Sequence, residues 1–174
     1  MKQAGFTLIE IMVVISISLI LLTTALPSLM GMIKNSRLVT LHNELVSDLS
    51  LTRSTAVNSG GNAIICAANV SADQCLGEGT DWIHGWLVFG DADDDGRVDA
   101  DEVIISVKAG LNADVKLVSS RIRVRYSADG TALGYPAAFI FCDSRESSTK
   151  RGLILTDSGN TQIVDTNQTG LNCS

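Results

Sequence analysis

Between Phe6 and Ile33 the chain carries a single charged side chain, Glu10, in 28 residues. At about 1.5 Å of rise per residue, a helix of that length exceeds the ~30 Å thickness of bilayer hydrocarbon. Glu10 is the anomaly in an otherwise lipid-compatible stretch. A carboxylate in a low-dielectric setting is costly, and it persists there only with a partner or as the neutral acid. An ordinary secretory signal is one account of the run. Lys2 would be its only basic residue and Thr23-Thr24-Ala25 a passable cleavage site, but Glu10 falls inside the would-be apolar core, where such signals avoid acids. A plain single-span membrane anchor is a second account.

Beyond Pro27 and Gly31 the pattern turns amphipathic. Leu38, Leu41, Leu45, Leu49, Thr52 and Ala56 recur at three- and four-residue steps, while Lys34, Arg37, Asn43, Glu44, Ser47, Asp48 and Ser50 fall elsewhere. That stripe predicts a helix packed on a globular core. Pro27 removes one helical hydrogen bond, which predicts a kink or local loosening. Asn58-Ser59-Gly60-Gly61 ends the element. One helix is therefore expected over roughly residues 6–58, half in lipid and half as the spine of a domain.

After Gly61 the signal is β. Candidate strands are Ala63–Ala67, Gly85–Phe89, Val103–Val107, Val115–Leu117, Ile122–Tyr126, Ala138–Cys142, Leu153–Thr156 and Thr161–Val164. Several are short Val and Ile runs bounded by Gly, Asp and Asn. Asp157-Ser158-Gly159-Asn160 predicts a hairpin between the last two. A long helix followed by short strands reads as α+β, with antiparallel sheet covering the helix.

The hexamer Gly5-Phe6-Thr7-Leu8-Ile9-Glu10 resembles the class III signal of type IV pilins and type II secretion pseudopilins. Two further elements narrow the resemblance to the GspH/FimT type of minor pilin. Arg53-Ser54-Thr55-Ala56-Val57 is similar to its "ARSEAV" element, with Thr55 in place of the usual glutamate, and Gly85-Trp86-Leu87-Val88-Phe89 before an acidic turn is similar to its "GW-x-V-F-x-D" strand. The Ser158-Gly159 turn sits where that group has its last glycine-containing hairpin. The αβ-loop and disulfide-bounded D-region of major pilins are not recognised. The resemblance implies a leader of residues 1–5, cut between Gly5 and Phe6 with methylation of Phe6. It implies a transmembrane and filament-core helix over 6–33 and a periplasmic head over 34–174. It gives Glu10 the role of pairing with the terminal amine of a neighbouring subunit. A pair within one chain and an unpartnered, protonated acid are the alternatives at that residue.

On this resemblance the chain is expected to be a minor subunit at or near the tip of a type IV pilus, priming assembly. A minor pseudopilin of a type II secretion system and a DNA-binding minor pilin for natural transformation are the other readings. The implied partners are other major and minor pilins, the prepilin peptidase and the inner membrane. Neither DNA nor a small-molecule substrate is favoured.

Cys66, Cys75, Cys142 and Cys173 suit an oxidising compartment. None forms a C-x-x-C pair, and only His42 and His84 could complete a zinc site, so zinc and redox chemistry are weakly supported. Three disulfide connectivities are open, with free buried thiols as the alternative. The pairing of sequence neighbours, Cys66 with Cys75 and Cys142 with Cys173, is favoured.

The charge is unevenly spread. Lys and Arg number 13 against 19 Asp and Glu, and residues 91–102 alone hold seven acids and one arginine. That segment, Asp91 to Glu102, follows the EF-hand loop pattern, with acids at positions 1, 3, 5, 9 and 12, glycine at 6 and an aliphatic at 8. A structural calcium ion would take side-chain oxygens from Asp91, Asp93, Asp95 and Glu102, the backbone carbonyl of Arg97, and Asp99 through water. The flanks read as strands, which excludes the helix-opening response of a sensor. A solvated acidic turn is the alternative.

Arg121, Arg123 and Arg125 alternate along an expected strand, which puts them on one face, with Lys150 and Arg151 near in sequence. Phosphate binding needs free cations. In the DNA-binding members of the resembled group that activity maps to a C-terminal G-R-x-R element. Gly159-Asn160-Thr161-Gln162 stands in its place with both arginines missing. The stripe reads equally as a solvated face paired with acids. No nucleophile motif accompanies His42 or His84, and Trp82 and Trp86 flank His84 as core residues or as a pocket wall, so catalysis is not expected.

Overall fold

The computed structural model describes residues 7–77, 79–111, 114–145 and 151–173, and falls into two compact units, one up to Arg37 and one over Leu38–Ser174. A single helix, α1, is Leu8–Ser59, and helical backbone runs through position 27. In the first unit its described large apolar side chains, from Leu8 to Ile33, are exposed. Three of its hydroxyls bond back to the helix. Ser16 Oγ donates to Met12 O, Ser18 Oγ to Val14 O and Thr23 Oγ1 to Ile20 O, each at 2.8 Å. That back-bonding satisfies these three groups within the helix itself, as a lipid-facing helix favours.

The second unit is built on residues 38–59 of α1. Leu38, Leu41, His42, Leu45, Leu49, Thr52 and Ala56 form its buried stripe. Eight strands follow: β1 Asn62–Ala67, β2 Gly85–Asp91, β3 Ile104–Ala109, β4 Val115–Ser119, β5 Arg123–Tyr126, β6 Ala137–Asp143, β7 Arg151–Leu155 and β8 Thr161–Val164. A short 3-10 turn, Thr166–Gln168, precedes the tail. The strands fall where the sequence places them, with ends shifted by one or two residues. They make two four-stranded antiparallel sheets, ordered β3-β2-β1-β5 and β4-β6-β7-β8. The chain crosses to the second sheet for β4, returns for β5 and crosses again for β6.

Both sheets and the helix stripe close on one core of Leu45, Leu49, Ile65, Trp82, Trp86, Phe139, Phe141 and their neighbours. Trp82 and Trp86 are fully buried there, so they pack the core and do not line an open pocket. Trp82 meets Phe139 edge-on with ring centres 5.3 Å apart, and its Nε1 donates to Arg121 O. Trp86 Nε1 donates to the Asp48 carboxylate at 2.7 Å, which ties β2 to the helix. The opposite face of the first sheet has a smaller core, Ile64, Cys66, Ala68, Leu87 and Phe89, covered by Val98, Cys75 and Ala72 from loops. With both faces covered, β1 and β2 lose the in–out alternation of a one-sided strand.

His42 sits in the helix stripe, 2 % exposed, against the Phe141 ring, with Nε2 unpartnered among the described residues. Burial holds its pKa below the usual 6.5; a hydrogen bond to Asn43 opposes this and Arg151 adds to it. The unfolded chain therefore binds the extra proton more readily than the folded one. The stabilisation is fully present above pH 6.5 and is lost as pH falls below it. We expect the unfolding free energy from urea titrations to decline below about pH 6.5 by no more than ~1.4 kcal/mol per pH unit from this group. His42→Leu should remove that part of the slope.

Candidate functional site

At the head of α1, Thr7 acts as the N-cap. Its Oγ1 accepts from the Glu10 backbone N–H at 3.3 Å, and its carbonyl accepts from Ile11 N–H at 3.3 Å. Thr7-Leu8-Ile9-Glu10 is thus half of a capping box, a signal present in the sequence but not read there. The Glu10 carboxylate sits in the first turn, where the helix dipole favours a negative charge, and the residue is exposed among apolar neighbours. The expected cleavage and methylation positions, Gly5 and Phe6, lie outside the described residues.

In the second unit the acidic loop joins β2 to β3. Asp91, the last residue of β2, is 1 % exposed and opposes Asn62 of β1. Its Oδ1 accepts from Gly96 N–H at 3.4 Å, while Oδ2 is buried with no hydrogen-bond partner among the described residues. Burial pushes its pKa up, the Gly96 N–H opposes the shift, and the charges of Asp94, Asp93 and Asp95 add to it. One carboxylate oxygen from each of Asp91, Asp93 and Asp95 lies within 4.8 Å of the others.

The rest of the loop is arranged around that group. Asp93 Oδ1 accepts from Asp95 N–H, and Asp95 Oδ1 accepts from Arg97 N–H at 2.7 Å. Glu102 closes the neck: Oε1 accepts from Ala92 N–H at 2.8 Å and Oε2 from Asp99 N–H at 3.3 Å. Glu102 and Asp99 are not part of the close three-carboxylate group. Val98, the aliphatic at position 8, turns inward onto the second core. Gln74, one residue before Cys75, holds the Val98 backbone from both sides, Nε2 donating to its carbonyl and Oε1 accepting from its N–H. Nothing local in the sequence marks Gln74 for this task.

Two of the three stripe arginines are committed to this loop. Arg123 Nη1 donates to Gly96 O at 2.9 Å, and Arg125 forms an ion pair with Asp94. Gly96 has φ of +74°, a backbone conformation that favours glycine, and a Cβ there would lie 2.0 Å from Arg123 Nη1, so the guanidinium would have to shift from its bond to the Gly96 carbonyl. Arg121 lies before β5, not on it, because the strand begins at Arg123. Its Nε donates to Pro136 O at 2.8 Å. The Arg125 and Arg121 guanidinium groups stand 5.3 and 5.8 Å from the Tyr135 ring centre, within cation–π range. Arg123 and Arg125 are thus structural counterparts of the acidic loop and only partly exposed, whereas Arg121 is exposed. Lys150 lies outside the described residues.

Disulfides join Cys66 to Cys75 and Cys142 to Cys173. The first lies beneath the acidic loop in the smaller core. The second fastens the tail to the end of β6.

Residues 42–159 match the family model of type II transport protein GspH, and residues 1–26 match the prokaryotic N-terminal methylation motif. No curated protein sequence matches the chain significantly. Two crystal structures of the type IV minor pilin FimU from Pseudomonas aeruginosa share the fold at 19 % identity. One has a TM-score of 0.61 and covers 81 % of this chain and 98 % of FimU; the other has a TM-score of 0.57 and covers 78 % and 98 %.

Proposed function

The chain belongs to the GspH family, minor pilins and pseudopilins of type IV pili or type II secretion, and from that premise we propose that it is a non-catalytic minor pilin of a type IV pilus. It is made with the five-residue leader, cut between Gly5 and Phe6, methylated on Phe6 and held in the inner membrane with its head in the periplasm. It then enters a filament at or near the tip and primes assembly, packing through its N-terminal helix against other pilins. The prepilin peptidase is its processing partner.

The observation that carries this reading is the exposed apolar face of α1 from Leu8 to Ile33, interrupted by one carboxylate at Glu10. Such a surface needs lipid or other apolar helices to cover it. A plain anchor accounts for the apolar residues but gives Glu10 no task, whereas a helix that passes from membrane to filament accounts for both. The match of residues 1–26 to the methylation motif supports processing at the N-terminus. The likeness to FimU over nearly its whole length supports the pilus over the secretion system. In the head, Arg123 and Arg125 are engaged by the acidic loop, which speaks against a DNA-receptor role.

Deletion of the gene tests the choice of system. Surface pili and twitching should be lost or sharply reduced while exoprotein secretion continues, and plasmid-borne wild type should restore them. Loss of secretion with normal pili would overturn the pilus assignment in favour of the pseudopilus.

A further inference from the structure

Three features of the head point to a cation in the β2–β3 loop. The first is chemical: Asp91, Asp93 and Asp95 bring three carboxylate oxygens within 4.8 Å of one another. Three acids so close repel each other in the absence of a cation. The second is the buried Oδ2 of Asp91, which has no hydrogen-bond donor among the described residues although Asp91 is only 1 % exposed. A buried carboxylate oxygen without a partner is costly and asks for a cation or a proton. The third is the fit of the sequence to a twelve-residue calcium loop, with Gly96 at the sharp turn and Val98 anchored in the core.

We propose that the Asp91–Glu102 loop binds one calcium ion, with the Asp91, Asp93 and Asp95 carboxylates as its primary ligands. The Arg97 carbonyl and the Glu102 carboxylate complete the oxygen set, with Asp99 acting through water. Only hard oxygen donors are offered, which suits calcium, and the number and spacing of donors exceed what magnesium's small octahedron takes from protein. The ion is structural. It holds the end of β2 to the start of β3, and it fixes the loop residues Asp94 and Gly96 against Arg125 and Arg123 of β5. Binding therefore braces three of the four strands of the first sheet at one end.

Full-length protein in detergent micelles, stripped with a chelator, is titrated with calcium chloride or magnesium chloride while thermal unfolding and heats of binding are recorded. One calcium per chain is expected, with Kd on the order of 10⁻⁴ to 10⁻³ M as in extracellular modules. At saturation the unfolding midpoint should rise by roughly 5 °C. Asp93 is exposed, so Asp93→Ala should fold and lose the calcium response. Asp91→Asn should lose it as well. Asp165→Ala, at an exposed acid whose side chain makes no capping bond, should keep it. No calcium-dependent shift at 10-fold the upper expected Kd would overturn the site. So would an equal shift with magnesium, or a calcium shift that survives in Asp93→Ala.

Discussion

Reduction of both disulfides is expected to lower the stability of the head by about 5 to 7 kcal/mol, most or all of what a domain of this size has. Cys142 and Cys173 are 31 residues apart in sequence, and closing a loop of that length constrains the unfolded chain by about 3 to 4 kcal/mol. Cys66 and Cys75 are nine apart and contribute about 2 to 3 kcal/mol. The longer link has few substitutes. It secures a tail that follows β8, an edge strand of four residues, and a 3-10 turn with no buried residue. The shorter link is backed by the Gln74 contacts to Val98 and by the bridge between Ala68 and Cys75. Urea titration with and without dithiothreitol measures the sum, and a Cys142→Ser/Cys173→Ser double variant isolates the longer link. The double variant should show the larger loss and freer proteolysis of the tail. A reduced protein with the oxidised midpoint would mean that packing alone holds the head together.

The strands were legible because each is a short apolar or β-branched run between turn formers, and because those local choices survive in the structure. Their division into two sheets was not. It depends on β4 leaving the first sheet and β5 returning to its far edge, which no periodicity encodes. The same topology explains the arginines. Alternation correctly put Arg123 and Arg125 on one face of β5, but their partners lie in the loop after β2, brought alongside because β1 pairs with both strands. Asp94 is 31 residues from Arg125 in sequence, and the sequence carries no local sign of the pair. Tyr135, which both Arg121 and Arg125 approach, was missed for the same reason. The inward turn of Val98 was implicit in the loop pattern itself. The Thr7 cap lies in four consecutive residues, Thr7 to Glu10, and is legible without tertiary context.

Replacing Glu10 by alanine is expected to reduce incorporation into the filament at least 10-fold while leaving the protein in the membrane. A membrane anchor and a filament subunit ask different things of this residue. For a membrane anchor, alanine removes the one group that opposes burial in lipid, so retention should stay the same or improve. For a filament subunit, the carboxylate is matched by a positive amine, and removing one member of a desolvated pair costs about 3 to 5 kcal/mol because the other is left uncompensated. That penalty corresponds to a factor of roughly 100 or more in partition between membrane and filament, so a 10-fold loss is a cautious floor. Glu10→Gln keeps the shape and hydrogen-bonding capacity without the charge, and it should fail nearly as badly if charge pairing is what matters. Thr7→Val removes the cap on the Glu10 N–H and costs about 1 kcal/mol of local helix stability, so its effect on assembly should be far smaller. Quantifying the subunit in sheared filaments against the membrane fraction separates the cases. Equal incorporation of wild type, Glu10→Ala and Glu10→Gln would remove the electrostatic role, leaving the capped first turn and the apolar face of α1 to set the packing.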